Sequence, residues 1–171
     1  RVQARHGRGV HAARAGAGAG ARPVKFTYDV TVDAPQDRVW AILSDVPRAA
    51  SLMPGVESVE AQPDGTYRGT VRVRVGPIGF NLTGRVEVQQ DRDAGTWRLQ
   101  ARADDRRVGA GVSSSVETVI SEPAPGQTQM RVGADVQFSG RLGQLGQPLI
   151  KKKADDMVQE FAEGLKRAVA G

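Results

Sequence analysis

From Val24 the chain alternates. Val24, Phe26, Tyr28, Val30 and Val32 are separated by Lys25, Thr27, Asp29 and Thr31, the two-residue period of a strand with one face buried and one wet. At Pro35 the period changes: in "PQDRVWAILSD" the residues Val39, Trp40, Ile42 and Leu43 cluster at helical spacing, and proline suits a first helical turn. Pro47 and Pro54 bracket "PRAASLMPG", enough for one more turn of helix before the chain must change direction.

Six strand-like segments follow: "VESVEA", "TYRGTVRVRV", "FNLTGRVEVQQ", "TWRLQARA", "VSSSVETVI" and "QTQMRVGADVQF". "PDG", "GPIG", "DRDAG", "DDRRVGAG" and "SEPAPG" supply turn chemistry between them, so the spacing predicts an antiparallel meander. Val71, Val73 and Val75 share a face opposite Arg72 and Arg74, as do Phe80, Leu82, Val86 and Val88 on the next strand. Trp97, Leu99, Ala101 and Ala103 align, as do Met130, Val132, Ala134, Val136 and Phe138.

The closing stretch "GRLGQLGQPLIKKKADDMVQEFAEGLKRAV" is amphipathic. Leu142, Leu145, Leu149, Met157, Phe161, Leu165 and Ala168 lie near one stripe, widened by Ile150, Val158 and Val169. Gly143, Gly146 and Pro148 divide it: Gly140 to Gly146 leads in, and Pro148 starts or kinks the regular helix. A sheet with one apolar face needs a cover, and this helix is the long amphipathic element left to provide it. The expected architecture is α+β: a curved antiparallel sheet of about six or seven strands around a long C-terminal helix.

Composition sharpens the picture. With 171 residues, 39% hydrophobic and 25% charged, the chain fits one domain able to bury about two thirds of its unfolded surface. It has no cysteine, which excludes disulfides, thiolate nucleophiles and cysteine metal sites, and no apolar run long enough to span a membrane. The net charge of +5 belongs to residues 1–22, where Arg1, Arg5, Arg8, Arg14 and Arg22 face no acid; residues 23–171 carry 19 cationic and 19 acidic side chains. A neutral domain argues against nucleic acid as a partner. Residues 1–22, almost entirely Arg, Ala and Gly, read as a disordered tail or linker, leaving 23–171 as the folded domain.

Three stretches carry a resemblance: "LMPGVESVE" (52–60), "YRGTVRVRVGPIGFNLTGRVEV" (67–88) and "GRLGQLGQPLI" (140–150). Together they resemble the CoxG family of carbon monoxide dehydrogenase accessory proteins, within the START-like (SRPBCC) helix-grip superfamily, over about residues 24–169. The resemblance implies a helix-grip fold and a non-enzymatic accessory protein with no tightly bound cofactor, which binds a quinone or lipid. It also implies a molybdenum hydroxylase of the carbon monoxide dehydrogenase type as partner, brought to the cytoplasmic membrane or relieved of its electrons. Many relatives end in a hydrophobic anchor; this sequence stops at Gly171 without one, so peripheral membrane association is expected. The loop "ADDRRVGAG" is more charged than the family's usual Gly-Asp stretch. A cyclase- or hydratase-like enzyme and a purely structural adaptor remain the alternative readings.

Candidate chemistry is sparse. The only histidines, His6 and His11, lie in residues 1–22, so no catalytic residue and no metal ligand is assigned. Asp29, Glu87 and Asp135 fall on polar strand faces, and Asp104 and Asp105 read as solvated turn acids. The residues aimed at the space between sheet and helix are Phe80, Leu82, Trp97, Leu99, Ser114, Val116, Met130, Val132, Met157 and Phe161. Filled, they form a core; left open, they line a pocket for a flat hydrophobic molecule, with Ser114 able to bond a ligand carbonyl. Periodicity leaves both readings open. Ile78 reads as the tip of a hairpin, and Lys151 with Asp155 and Lys152 with Asp156 as solvated pairs one helical turn apart.

Overall fold

The computed structural model describes residues 2–4 and 23–171. Its strands are β1 (Val2–Ala4), β2 (Val24–Val32), β3 (Val56–Ala61), β4 (Tyr67–Val75), β5 (Ile78–Asp91), β6 (Thr96–Asp105), β7 (Ala110–Ala124) and β8 (Gln127–Ser139). The helices are α1 (Gln36–Leu43), α2 (Val46–Ser51), α3 (Gly140–Gly143) and α4 (Gln147–Ala170). All eight strands form one antiparallel sheet in the order β1-β2-β8-β7-β6-β5-β4-β3. The meander expected from β3 to β8 is present, and β2 closes on β8, so α1 and α2 carry the chain across one end of the sheet to its far edge.

Local chemistry explains the boundaries. α1 begins after Pro35, and its Val39, Trp40, Ile42 and Leu43 are all buried, one apolar stripe on two turns. Asp45 caps α2 by accepting from the Arg48 N–H at 3.3 Å. Val75 pairs with Ile78 across the two-residue turn Gly76–Pro77, with Gly76 at φ 60°, a conformation that favours glycine. α4 starts with Pro148 in its first turn, as the proline predicts, whereas the lead-in, read from the sequence as a loosely ordered entry, holds a separate short helix, α3.

Several local expectations change. "SEPAPG" reads as a turn, yet β7 runs through to Ala124 and turns only at Pro125–Gly126; the register shifts between Ser121 and Ala124, a bulge that accommodates Pro123, which has no N–H for the ladder. Ile78 is not an exposed tip: it is half-buried at the start of β5 and packs with Phe80, Leu82 and Leu142. Leu149 drops out of the apolar stripe and is 39% exposed, because α4 meets the sheet through Ile150 and Ala154 instead. Three residues read as tail, Val2–Ala4, form an edge strand on β2. The rest of that expectation, residues 1 and 5–22, lies outside the described residues.

Packing concentrates in three clusters. At one end Trp40, Leu43, Ile120, Met130, Leu165 and their neighbours join α1, α4, β7 and β8. At the other, Val75, Phe80, Leu82, Ala110 and Leu142 gather the β4–β5 and β6–β7 turns under α3. Along one side, Val24, Phe26, Tyr28 and Ile150 fasten β2 to the start of α4. Gly84 lets β5 and β6 approach closely, since a Cβ there would run into the Arg102 carbonyl and Ala103.

Candidate functional site

The two-residue period gathers the inner faces of the strands into cross-strand rows. Val86, Ala101, Ser114, Val136 and Val24 lie in one row, and Val88, Leu99, Val116, Ala134 and Phe26 in the next. Toward either end of the sheet, inner residues such as Leu82 and Ile120 are sealed in the clusters. Along the middle the situation differs: Val86, Val88, Leu99, Ala101, Ser114, Val116, Val132 and Val136 all stay half-buried. So do Ala154, Met157, Val158 and Phe161 on the facing helix. Close-packed apolar positions in a filled core lose nearly all contact with water. Val86, Val88, Leu99, Ala101, Ser114, Val116 and Met157 belong to no packed cluster and form an apolar trough, bordered by Val132, Val136, Ala154 and Val158 against the β2 cluster and by Phe161 against the α1-end cluster.

Of the ten lining residues read from the sequence, Leu99, Ser114, Val116, Val132, Met157 and Phe161 fall on the trough. Phe80, only 1% exposed, and Leu82 are closed into the cluster beneath α3, and Met130 into the cluster at the α1 end. Trp97 stands at that same end, half-buried, its indole N–H donating to the Leu43 carbonyl at 3.2 Å. It forms an end wall tied to α1. The Ser114 hydroxyl, set among apolar neighbours, makes no hydrogen bond among the described residues.

One polar contact of long reach was not readable in advance. Tyr28, on the inner face of β2, donates its hydroxyl to Asp155 Oδ1 of α4 at 2.7 Å. Burial first, and then the carboxylate that accepts its proton, push the Tyr28 hydroxyl well above the usual tyrosine range. Asp155 is therefore half-buried against β2 and not part of a solvated pair with Lys151. Parity placed Tyr28 inward, but its partner lies across the fold, where no spacing rule reaches.

Asp105 is also not the solvated turn acid the sequence suggests: its side chain is 5% exposed. Its carboxylate accepts from the Asn81 N–H at 2.8 Å and the Arg107 N–H at 3.1 Å, with the Arg107 guanidinium 3.7 Å away. The Asn81 N–H foremost, with the Arg107 charge, holds this carboxyl below the ordinary carboxylate range. The group fastens the β6–β7 turn to β5. Its role is a clasp at one end of the trough, and Asp104 beside it is exposed.

A curved antiparallel sheet gripping a C-terminal helix, with short helices after an early strand, is the START-like fold. Solved structures agree with it. The chain is similar to a conserved protein from Geobacillus kaustophilus, with a TM-score of 0.78 and 14% identity over 86% of this chain and 95% of that one. It is similar to a START superfamily protein from Mycobacterium smegmatis, with a TM-score of 0.60 and 17% identity over 85% and 97%. The Zhui aromatase/cyclase from Streptomyces sp. R1128 aligns with a TM-score of 0.58 and 22% identity over 86% and 92%. No curated protein matches the chain. The family profile of CoxG, a subunit of carbon monoxide dehydrogenase, matches residues 29–170, and the chain belongs to that family. No helix among the described residues is long and apolar enough to cross a membrane.

Proposed function

We propose that this protein is a non-enzymatic carrier that holds a flat hydrophobic molecule, a quinone or a lipid, in the trough between α4 and the sheet. In this reading it serves a molybdenum hydroxylase of the carbon monoxide dehydrogenase type at the cytoplasmic face of the membrane. Family membership supports the partner class. The observation that carries the ligand reading is the unsealed middle of the inner surface, where Leu99, Val116, Met157 and Phe161 remain half-buried while Phe80, Leu165 and Trp40 at the ends are sealed. Apolar side chains with one free hydroxyl, from Ser114, match a ligand that is mostly hydrocarbon with a carbonyl to orient. Met157 adds an adaptable wall.

The enzyme reading draws less support from these residues. Acid–base chemistry needs a group within reach of the substrate and free to exchange its proton, whereas Tyr28 and Asp155 are committed to each other. Native mass spectrometry of the purified chain, with organic extraction of what it carries, tests the carrier reading. A co-purifying quinone or lipid, and saturable quenching of the tryptophan fluorescence by an added quinone, are the expected results. An empty chain that neither binds quinone nor extracts lipid overturns it.

A further inference from the structure

The antiparallel register lays three arginines in one line across the outer face of the sheet, away from the trough. Arg68 of β4 lies opposite Arg85 of β5, and Arg85 opposite Arg102 of β6. The line continues into Ser113 of β7 and Gln137 of β8, and at its other end it runs into Glu60 of β3, opposite Arg68. Directly opposed side chains in such a ladder have Cβ atoms about 5 Å apart, and like charges there destabilise the pair. Elsewhere on this face Arg72 pairs with Glu57, Arg98 with Glu117, Arg131 with Asp29 and Lys25 with Asp135, while Arg74, Glu87 and Asp104 make no ion pair among the described residues. Along the line only Arg85 has such a partner, Asp64 from the β3–β4 turn. Arg68 and Arg102 make no ion pair among the described residues, although Glu60 of β3 lies opposite Arg68 in the ladder.

Beside Arg85 and Arg102 an open groove of about 450 Å³ crosses β5 to β8, with Gln100, Ser113, Ser115 and Gln137 among its lining and Glu87 and Asp135 on its further row. We propose that the arginine line is a docking surface for an acidic segment of a partner protein, whose carboxylates pair with Arg102 and Arg68 as Asp64 already pairs with Arg85. A planar guanidinium takes a carboxylate through two parallel N–H bonds, and the hydroxyl and amide donors beside it extend that recognition. Asp64, held by the Thr66 N–H at 3.0 Å and the Thr66 hydroxyl at 2.6 Å, demonstrates that a carboxylate on a turn seats on this line. The groove is open and spans four strands, which suits an extended chain and not an enclosed small molecule. Glu87 and Asp135, the latter paired with Lys25, line the groove itself and disfavour acids along its floor, so the segment's carboxylates seat at Arg102 and Arg68. Because the line faces away from the trough, this docking neither needs nor obstructs a ligand inside.

The test is nitrogen-15 NMR of the full chain titrated with a hexaglutamate peptide at about 50 mM salt, where surface charges are weakly screened. Amide shifts concentrated at Arg68, Arg85, Arg102 and Ser113 are expected. Arg102→Glu and Arg68→Glu weaken that binding at least about tenfold, while Arg74→Glu changes it less than about twofold, since it makes the same charge change on β4 outside the line. Thermal melts of the three variants check that each is folded. Shifts confined to the arginine-rich residues 1–22, equal weakening in all three variants, or none in Arg102→Glu overturns the proposal. Capture by phosphatidylglycerol vesicles with the same variant dependence, but without peptide binding, overturns it in favour of a lipid surface.

Discussion

Tyr28 on the second strand and Asp155 in the middle of the closing helix are joined by a 2.7 Å hydrogen bond from hydroxyl to carboxylate. Tyr28→Phe keeps the ring and its stacking on Phe26 and removes the bond, so it should lower stability by about 1 kcal/mol. Asp155→Ala leaves the buried hydroxyl without its acceptor and should cost more, about 1–3 kcal/mol. Urea denaturation at neutral pH measures both.

The same contact sets an alkaline limit. A tyrosine in the unfolded chain titrates near 10, and folding raises the Tyr28 value. The folded state therefore holds its proton where the unfolded state begins to lose it. The contribution is fully present below pH 10 and is lost as pH rises beyond it. Stability measured from pH 8 to 11 should fall above 10, less steeply in Tyr28→Phe than in the parent chain.

Asp105 predicts the opposite limit. Its folded value is lowered, so its contribution is present above the unfolded carboxylate range, near pH 4, and disappears as pH falls through the folded value. Asp105→Asn should lower the urea midpoint at pH 7, because an amide group now meets the Asn81 and Arg107 N–H donors, and should flatten the acid dependence below pH 4. Circular dichroism across that range reads both effects.

Two positions on α4 separate packing from lining. Leu165 is 0% exposed within the α1-end cluster, so Leu165→Ala should cost about 2–5 kcal/mol. Met157, half-buried on the trough, should cost only about 1 kcal/mol on Met157→Ala, in line with the smaller apolar area it removes from water. Its larger effect should fall on quinone binding by fluorescence titration. Comparable stability losses at the two positions would mean that the trough is filled.

Ser114→Ala tests the remaining polar group. Removing a hydroxyl that makes no hydrogen bond among the described residues should leave stability nearly unchanged. Quinone affinity should fall about fivefold to tenfold, the worth of one hydrogen bond of about 1 kcal/mol. The same titration, set beside a thermal melt, checks it.

Much of the architecture was legible because its signals are local. Alternation gave β2 the bounds Val24–Val32, and Pro35 and Pro148 marked where α1 and α4 begin. Ser114 fell on the inner face by parity alone. What misled was burial inferred from polarity or stripe. Asp105 looked solvated because acids in turns usually are, but the Asn81 and Arg107 backbone groups that pair with it come from the fold. Leu149 shared a helical stripe with buried residues, yet α4 turns a slightly different face to β2.

The sequence by itself determined most of the elements, their order and the inward or outward sense of most strand residues, since these follow from periods of two and 3.6 along one chain. Only the tertiary structure decided which inner residues are sealed and which line the trough, because accessibility depends on what lies across the gap. It alone joined Tyr28 to Asp155 and aligned Arg68, Arg85 and Arg102, because contacts between distant segments depend on register and turn geometry, and a one-residue slip would have sent each side chain to the other face.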